Sequence, residues 1–467
     1  DLLIKPEETP APNTVMPGET ATPSPTINID ILFGNETPTP ESTPEPTQEV
    51  SSTAAAPTPS AASAASVAPV ETNSASATKE GTPSTPSTPE PTATPCNHSY
   101  DNGTVTKQAT CTQEGEKKYT CKYCGNIKTE KIAKKEHNYK LFKSQTADDE
   151  HFGYKVYKCS VCGSYMQDSI QNKTVSSGYL APQYGGVAIY GRCDWLFYSG
   201  DGSESYYQGT NLLSSSEMAS WKNTFERLQN ACDKKGITLV IMVAPNKEQI
   251  YSEYMPTYKI ATDEKRQDRF LAYMQKNSSV KYLYPYNDLI TAKYFYDVFY
   301  KQDTHWNAIG GFMGSMALYR ALGMSTTNLF DLNITEHTRF GGDLSNFSGF
   351  TSEYTDYIVN YKPEVKTSVQ YFENSTGGEN ELCQYTSDSA NDAKIVVIAD
   401  SFRHAMSQYI SKDFARATIS HRSDVGRPVV QQALSELSKG DVLFLLAVER
   451  YDYQNVNIAE ALIDVIS

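Results

Sequence analysis

Ile395-Val396-Val397-Ile398-Ala399 is an unbroken apolar run that stops abruptly at Asp400-Ser401-Phe402 and gives way to a helix-like segment over 403–412. Such a run suits a strand buried on both faces, as in a parallel sheet covered by helices. A serine at the turn between that strand and helix is lifted out of the sheet, with its hydroxyl exposed and backbone N–H groups aimed at a developing oxyanion. Residues 237–244 form a second run that only a buried parallel strand tolerates. It ends at Pro245-Asn246-Lys247, a loop where open α/β sheets place ligands. Further strands are expected at 280–284, 417–420 and 442–447, and a pair of short ones at 187–191 and 195–198. Helical spacing appears between them. Ser214-Ser215-Ser216-Glu217 opens a helix through Trp221, Phe225 and Leu228 to Gly236, and others are expected over 263–276, 308–322 and 429–437. Residues 338–390 read as β-rich or irregular, with a turn at Gly341-Gly342-Asp343. Strands alternating with helices imply an α/β fold, a parallel sheet with helices on both faces.

The group that would activate Ser401 stands far upstream. Asp303-Thr304-His305-Trp306-Asn307 places a carboxylate and an imidazole two residues apart, directly before the helix over 308–322. Neutral imidazole takes a serine proton only if its tautomer and orientation are fixed, the usual task of an adjacent carboxylate. Each stretch alone has a plain reading as a helix cap. Together, on one α/β pattern, they read as the two halves of an acyl-transfer site, with Ser401 as nucleophile, His305 as general base and Asp303 as its orienting carboxylate.

Not all of the 467 residues can join this sheet. Residues 1–95 hold 18 of the 24 prolines and are otherwise mostly Thr, Ser, Ala and Glu, a composition that builds no core and predicts a disordered stalk. The stalk carries 12 acidic and 2 basic residues, most of the formal charge of −14. The remaining 43 acidic and 39 basic residues leave the rest only mildly acidic, which argues against a nucleic-acid partner. No apolar run approaches the roughly 18–20 residues of a membrane span, and no basic-then-apolar signal pattern opens the chain. The start at Asp1 without methionine predicts a removed signal peptide or anchor. A Pro/Thr/Ser tract is typical of stalks that hold a domain off a wall or membrane, so a tethered, extracytoplasmic surface protein is expected. A disordered intracellular linker is the plainer alternative.

Residues 96–170 are Cys/His-rich and contain an internal repeat. His98-Ser99-Tyr100 is followed by Cys121-Lys122-Tyr123-Cys124-Gly125, and His137-Asn138-Tyr139 by Cys159-Ser160-Val161-Cys162-Gly163. Each Cys-x-x-Cys-Gly reads as a zinc knuckle, its glycine allowing the tight turn and nearby N–H groups bonding the thiolates. Cys121, Cys124 and His137 with His98 or Cys111 would close one tetrahedral zinc site. Cys159 and Cys162 with His137 or His151 would contribute to a second. Disulfides are the alternative in an oxidising compartment. Cys193, Cys232 and Cys383 read as buried small apolar residues. The module resembles Cys/His repeats of Gram-positive surface proteins, a resemblance that implies a spacer or attachment role.

From residue 175 to the end the composition is that of one globular domain, and residues 187–450 resemble the SGNH-hydrolase-like domain of the alginate O-acetyltransferase group and the related DHHW proteins. The matching pieces are Asp194-Trp195-Leu196-Phe197-Tyr198, Val243-Ala244-Pro245-Asn246-Lys247, the Asp303–Asn307 stretch, Gly342-Asp343-Leu344, Ala399-Asp400-Ser401-Phe402 and Glu449-Arg450, in the family's order. Asp303-x-His305 follows the acetyltransferase branch, whereas Ala399 stands where the superfamily has glycine. The resemblance implies a polysaccharide O-acetyltransferase working through an acetyl-serine at Ser401, with no catalytic cofactor and a membrane-bound O-acyltransferase delivering acetyl. Ser401 N–H, with Gly342 N–H or the Asn246 side chain, would hold the oxyanion, although Gly342 and Asn246 read equally well as plain turn residues. Trp306 is expected to stack on a sugar ring, and Lys247 and Asp343 to form a surface ion pair. An acetyl esterase with the same triad and an inert wall-binding protein are the competing readings.

Overall fold

The computed structural model describes residues 96–148, 151–171, 184–185, 187–256, 260–373 and 382–467, and the stalk expected over 1–95 lies outside them. The described chain divides into two compact units, one ending at Glu136 and the other beginning at His137. In the first, strands Thr104–Lys107, Gly115–Thr120 and Ile127–Ile132 form an antiparallel sheet. Among the described residues of this unit the buried apolar ones are Ala109, Cys111 and Cys121.

The second repeat builds the same three-stranded sheet from Tyr139–Gln145, Gly153–Cys159 and Tyr165–Gln171, but it belongs to the larger unit. Residues 96–170 are thus divided between the two compact units. The reason is the inner face of the second sheet: Tyr154, Val156 and Tyr165 are buried and join the main core. Tyr154 meets Phe295 at 4.9 Å between ring centroids, and Tyr165 meets Phe330 at 5.3 Å. At the edge of this contact Tyr165 Oη and Lys158 Nζ both donate to Asp331, at 2.8 and 3.1 Å.

The central sheet has seven strands in the spatial order Lys281–Leu283, Thr238–Ala244, Val442–Val448, Lys394–Ala399, Arg416–His421, Cys383–Ser387 and Thr367–Tyr371. The first five pair in parallel and the last two join antiparallel. Because side chains alternate along a strand, an all-apolar strand must feed two cores. Val240, Met242, Val397, Ala399 and Phe444 point into one, with the helices Ala308–Leu322 and Arg403–Asp413. Leu239, Ile241, Val396, Ile398 and Leu443 point into the other, beneath the helices Ser215–Lys235, Arg266–Asn277, Pro428–Ser435 and Tyr453–Ile466. The expected α/β arrangement with helices on both faces is the observed one.

Local signals set the boundaries. Ser214 and Glu217 form a reciprocal capping box, and Gly236 ends that helix with a positive φ of 71°. Asn307 caps Ala308–Leu322 through its side-chain oxygen. The turn expected at Gly341-Gly342 is present but opens a short helix, Asp343–Ser348. The helices Tyr286–Lys293 and Tyr453–Ile466 are additions to the sequence reading. Among the described residues no helix is long and apolar enough to cross a membrane.

Candidate active site

Three neighbouring central strands, Thr238–Ala244, Val442–Val448 and Lys394–Ala399, end on the same edge of the sheet, and their loops deliver Asn246, Arg450 and Ser401. Asp400 fixes the turn that carries the serine. Its buried carboxylate accepts the Phe402 N–H at 3.0 Å and, across the sheet, the Val448 N–H at 2.6 Å. Arg403 Nη1 donates to the Asp400 carbonyl at 2.7 Å. Ser401, half-buried, is thus held between two fixed neighbours. Ala399, the last residue of the strand, is buried.

His305 faces that serine. Its Nε2 lies 2.6 Å from Ser401 Oγ, and its Nδ1 lies 2.6 Å from Asp303 Oδ1. With Nδ1 against a carboxylate, the imidazole proton belongs on Nδ1 and the Nε2 lone pair accepts the serine O–H. Asp303 also accepts the backbone N–H groups of His305, at 3.0 Å, and Asp343, at 3.2 Å. Burial opposes ionisation of Asp303, but the His305 side chain and these two N–H groups outweigh it and lower its pKa to about 2. Asp343 in turn accepts the Thr304 N–H at 2.7 Å and the Thr304 hydroxyl at 2.6 Å. Asp303, His305 and Asp343 lie close enough together to share a cation, yet both ring nitrogens of His305 already face partners in the Asp303–His305–Ser401 chain.

The residues around this chain differ from expectation in informative ways. Trp306 is buried and offers no face to a sugar. Its Nε1–H donates at 2.7 Å to the carbonyl of Phe402, so it joins the base loop to the nucleophile turn. Lys247 forms no surface ion pair with Asp343. It is buried, and its Nζ donates to the carbonyls of Tyr300, Lys301 and Asp303 at 3.1, 3.2 and 2.7 Å, which clamps the segment that presents His305. Burial pulls its pKa down to about 7, against the opposing pull of the Asp303 and Asp343 charges.

Gly342 is extended and packs on the same segment. A Cβ there would meet the Asp303 Cβ at 2.7 Å and the Gln302 carbonyl closer still, so close approach explains the glycine. Asn246 is fully buried. Its Oδ1 accepts Arg450 N–H and Nη1 at 3.3 and 3.4 Å, its backbone N–H donates to Glu449 at 3.1 Å, and its Nδ2 has no hydrogen-bond partner. Burial raises the Glu449 pKa to about 8. The Arg450 guanidinium lies over the rings of Phe402, Tyr198 and Tyr451 at 5.8, 5.1 and 5.4 Å from their centroids. Asp201 ties the two tyrosines together, accepting from Tyr198 at 2.8 Å and Tyr451 at 2.5 Å.

The Cys/His residues sort by repeat. Cys96, His98, Cys121 and Cys124 form one group, with His98 rather than His137 beside the first knuckle. His137 instead joins Cys159 and Cys162, its Nδ1 at 3.3 Å from Cys162 Sγ, while His151 bonds Asp148 at 2.9 Å. Each histidine sits just before the first strand of its own three-stranded sheet. Of the three scattered cysteines, Cys232 and Cys383 are buried as expected and Cys193 is half-buried.

A mostly parallel α/β sheet with a serine, a histidine and an aspartate brought together at the carboxyl edge of its parallel strands is the architecture of a serine-dependent acyl-transfer or hydrolase domain. Residues 188–433, just over half of the chain, match the family described as the SGNH hydrolase-like domain of acetyltransferase AlgX, and the chain belongs to that family. Among solved structures it is similar to a DHHW family protein from Eubacterium siraeum, at 16% identity over 60% of this chain and 95% of that one, with a TM-score of 0.40. It is also similar to the O-acetyltransferase domain of Pseudomonas putida AlgJ, at 19% identity over 58% of this chain and 92% of that one, TM-score 0.35. Bacillus cereus PatB1 is similar at 13% identity over 56% and 95%, TM-score 0.36. No curated protein matches the chain.

Proposed function

We propose that the protein is an extracytoplasmic O-acetyltransferase that moves an acetyl group from a donor, through Ser401, to a hydroxyl of a polysaccharide. The observation that carries this reading is the unbroken Asp303–His305–Ser401 chain, with 2.6 Å at both links, in a domain of an acetyltransferase family. In the first half-reaction Ser401 Oγ attacks the donor's acetyl carbon while its proton passes to His305 Nε2. The tetrahedral intermediate collapses, the donor's leaving group takes that proton, and acetyl-Ser401 remains. In the second half a sugar hydroxyl gives its proton to His305 and attacks the acetyl-serine, and the proton returns to Ser401 as the sugar ester leaves.

The Phe402 N–H is committed to Asp400, which leaves the Ser401 N–H for the oxyanion. The unpartnered Nδ2 of Asn246, buried under Arg450, is the second donor of this proposal. Gly342 seats the Asp303 loop by close approach, and its N–H is the alternative second donor. Tyr198 and Tyr451, half-buried and tied together by Asp201 beside Arg450, present the aromatic surface on which a sugar acceptor would stack, the role Trp306 cannot fill. A membrane-bound O-acyltransferase is the proposed donor partner, and the stalk over 1–95 the proposed spacer.

The test offers the full chain and its Ser401→Ala variant a chromogenic acetyl ester with and without wall or exopolysaccharide oligosaccharides. Acetyl found on sugar, and lost in the variant, is the expected result. Serine-dependent acetate release unchanged by every sugar would replace the transferase by an esterase, and acetyl transfer that survives in the variant would remove Ser401 from the mechanism.

A further inference from the structure

We infer that the first Cys/His repeat binds one zinc ion through Cys96, His98, Cys121 and Cys124. The ligand atoms of these four residues all lie within 4.8 Å of one another. Cys96 Sγ and Cys121 Sγ are 3.8 Å apart. A disulfide needs about 2.05 Å. A tetrahedron with Zn–S bonds of about 2.3 Å has an edge of about 3.8 Å, the separation found. Cys124 Sγ lies 3.2 Å from His98 Nδ1, where a mixed sulfur and nitrogen edge would be roughly 3.6 Å, so the imidazole closes on the same point a few tenths of an ångström tight.

The surrounding backbone is built for thiolates. The N–H groups of Tyr123 and Cys124 are hydrogen-bonded to Cys121 Sγ. Gly125, at a φ of 72°, returns its N–H to the Cys121 carbonyl at 3.0 Å and closes the knuckle. The second repeat reproduces this turn independently. Gly163 has a φ of 77° and donates to the Cys159 carbonyl at 2.9 Å, and the N–H groups of Cys162 and Val161 are hydrogen-bonded to Cys159 Sγ. His137 stands at Cys162 as His98 stands at Cys124. The same donor geometry at two separate places in the chain reflects a shared requirement.

Energetics points the same way. With only Ala109, Cys111 and Cys121 as buried apolar residues among those described, the repeat over 96–136 has almost no core, and a module far below roughly 70 residues needs a staple. Three thiolates and an imidazole form a closed structural set for a d10 ion with no ligand position left open, so this ion holds the fold and does no chemistry. The group also contains no carboxylate, the ligand type that hard cations prefer.

The experiment compares the full chain with its Cys121→Ser/Cys124→Ser double variant, both purified without added metal or chelator. Zinc is measured by elemental mass spectrometry, and the unreduced thiols are mapped by alkylation and peptide mass. The expected result is a difference of one zinc per chain between the two proteins, with ester turnover at Ser401 retained in both to show that the remainder is folded. Equal zinc content overturns the inference, as does a disulfide at Cys96, Cys121 or Cys124. A measurement on the unmutated fold makes the result independent of any misfolding in the variant. Replacing zinc by Co2+ in the wild type should give the visible bands of a tetrahedral ion with sulfur-to-cobalt charge transfer, weakened but not abolished in Cys96→Ser. Cobalt bands without charge transfer would mean that thiolates are not the ligands.

Discussion

Ser401 stands on a turn whose neighbours Ala399, Asp400, Phe402 and Arg403 are all buried, whereas Cys124 and Cys162 stand at the exposed tips of two knuckles. In the sheet domain, two cores hold the strand ends rigid and a few polar groups then aim the chemistry. In the first Cys/His repeat there is almost no core, and the polar groups themselves must organise the chain. The lesson is about where a substitution is felt. At the sheet edge, displacing one group by a fraction of an ångström alters function before stability. In the repeat, losing one of the proposed zinc ligands is expected to alter folding of that unit and to leave the chemistry elsewhere intact.

The largest effect that would sharpen this contrast is at the base. Asp303→Asn keeps the side-chain shape but favours the wrong imidazole tautomer, and kcat should fall about 10^4-fold with an unchanged far-UV spectrum. A loss of only a few fold would break the assignment of Asp303. Gly342→Ala should follow. Its Cβ would push on Asp303 and Gln302, and a displacement of about 1 Å at the base costs on the order of 10^2 in kcat, read at saturating substrate with little change in melting temperature.

Trp306→Phe removes the donor to the Phe402 carbonyl and should cost about 1–2 kcal/mol of stability in urea unfolding, together with a modest fall in kcat. The pH dependence of stability supplies a comparable number. Asp303 has a pKa lowered to about 2 from an unfolded value near 3.8, so its contribution is complete above about pH 4 and is lost as pH falls toward 2. The upper bound is about 2 kcal/mol. Acid unfolding of Asp303→Asn should lack that part of the slope. The smallest expected effect lies in the other region: Cys121→Ser/Cys124→Ser should leave ester turnover within about twofold of wild type. A large loss there would mean that the two regions are not energetically separate, and the contrast would fail.

Much of the sheet domain is legible because its signals are local. The run at 395–399 must be a buried strand, and Asn307 and Gly323 bracket a helix of apolar residues between a cap and a left-handed stop. The Asp303, His305 and Ser401 pattern is legible for the same reason, since each half sits in its own short motif. Lys247 is not. Nothing within a few residues tells that its ammonium will be buried against the Tyr300, Lys301 and Asp303 carbonyls, a contact made only by the folded sheet edge. Trp306 misleads because an aromatic beside a catalytic motif suits stacking and bracing equally until burial decides. The division of the repeats turns on Tyr154, Val156 and Tyr165, whose alternation marks an apolar face but not what covers it. The helix Tyr453–Ile466 had a readable signal in Val456, Ala459, Leu462 and Ile466, spaced for one face.

The central claim is that Ser401 accepts the acetyl group covalently, and its most direct test is to catch that intermediate. The full chain is mixed with an activated acetyl ester, quenched in acid within a turnover, and digested for peptide mass spectrometry, alongside His305→Ala and Ser401→Ala. The account predicts one acetyl group on the peptide containing Ser401 in the wild type, a much slower appearance in His305→Ala and none in Ser401→Ala. Turnover of the ester with no acetyl on Ser401 at any quench time, or equal labelling of that peptide in Ser401→Ala, would contradict it.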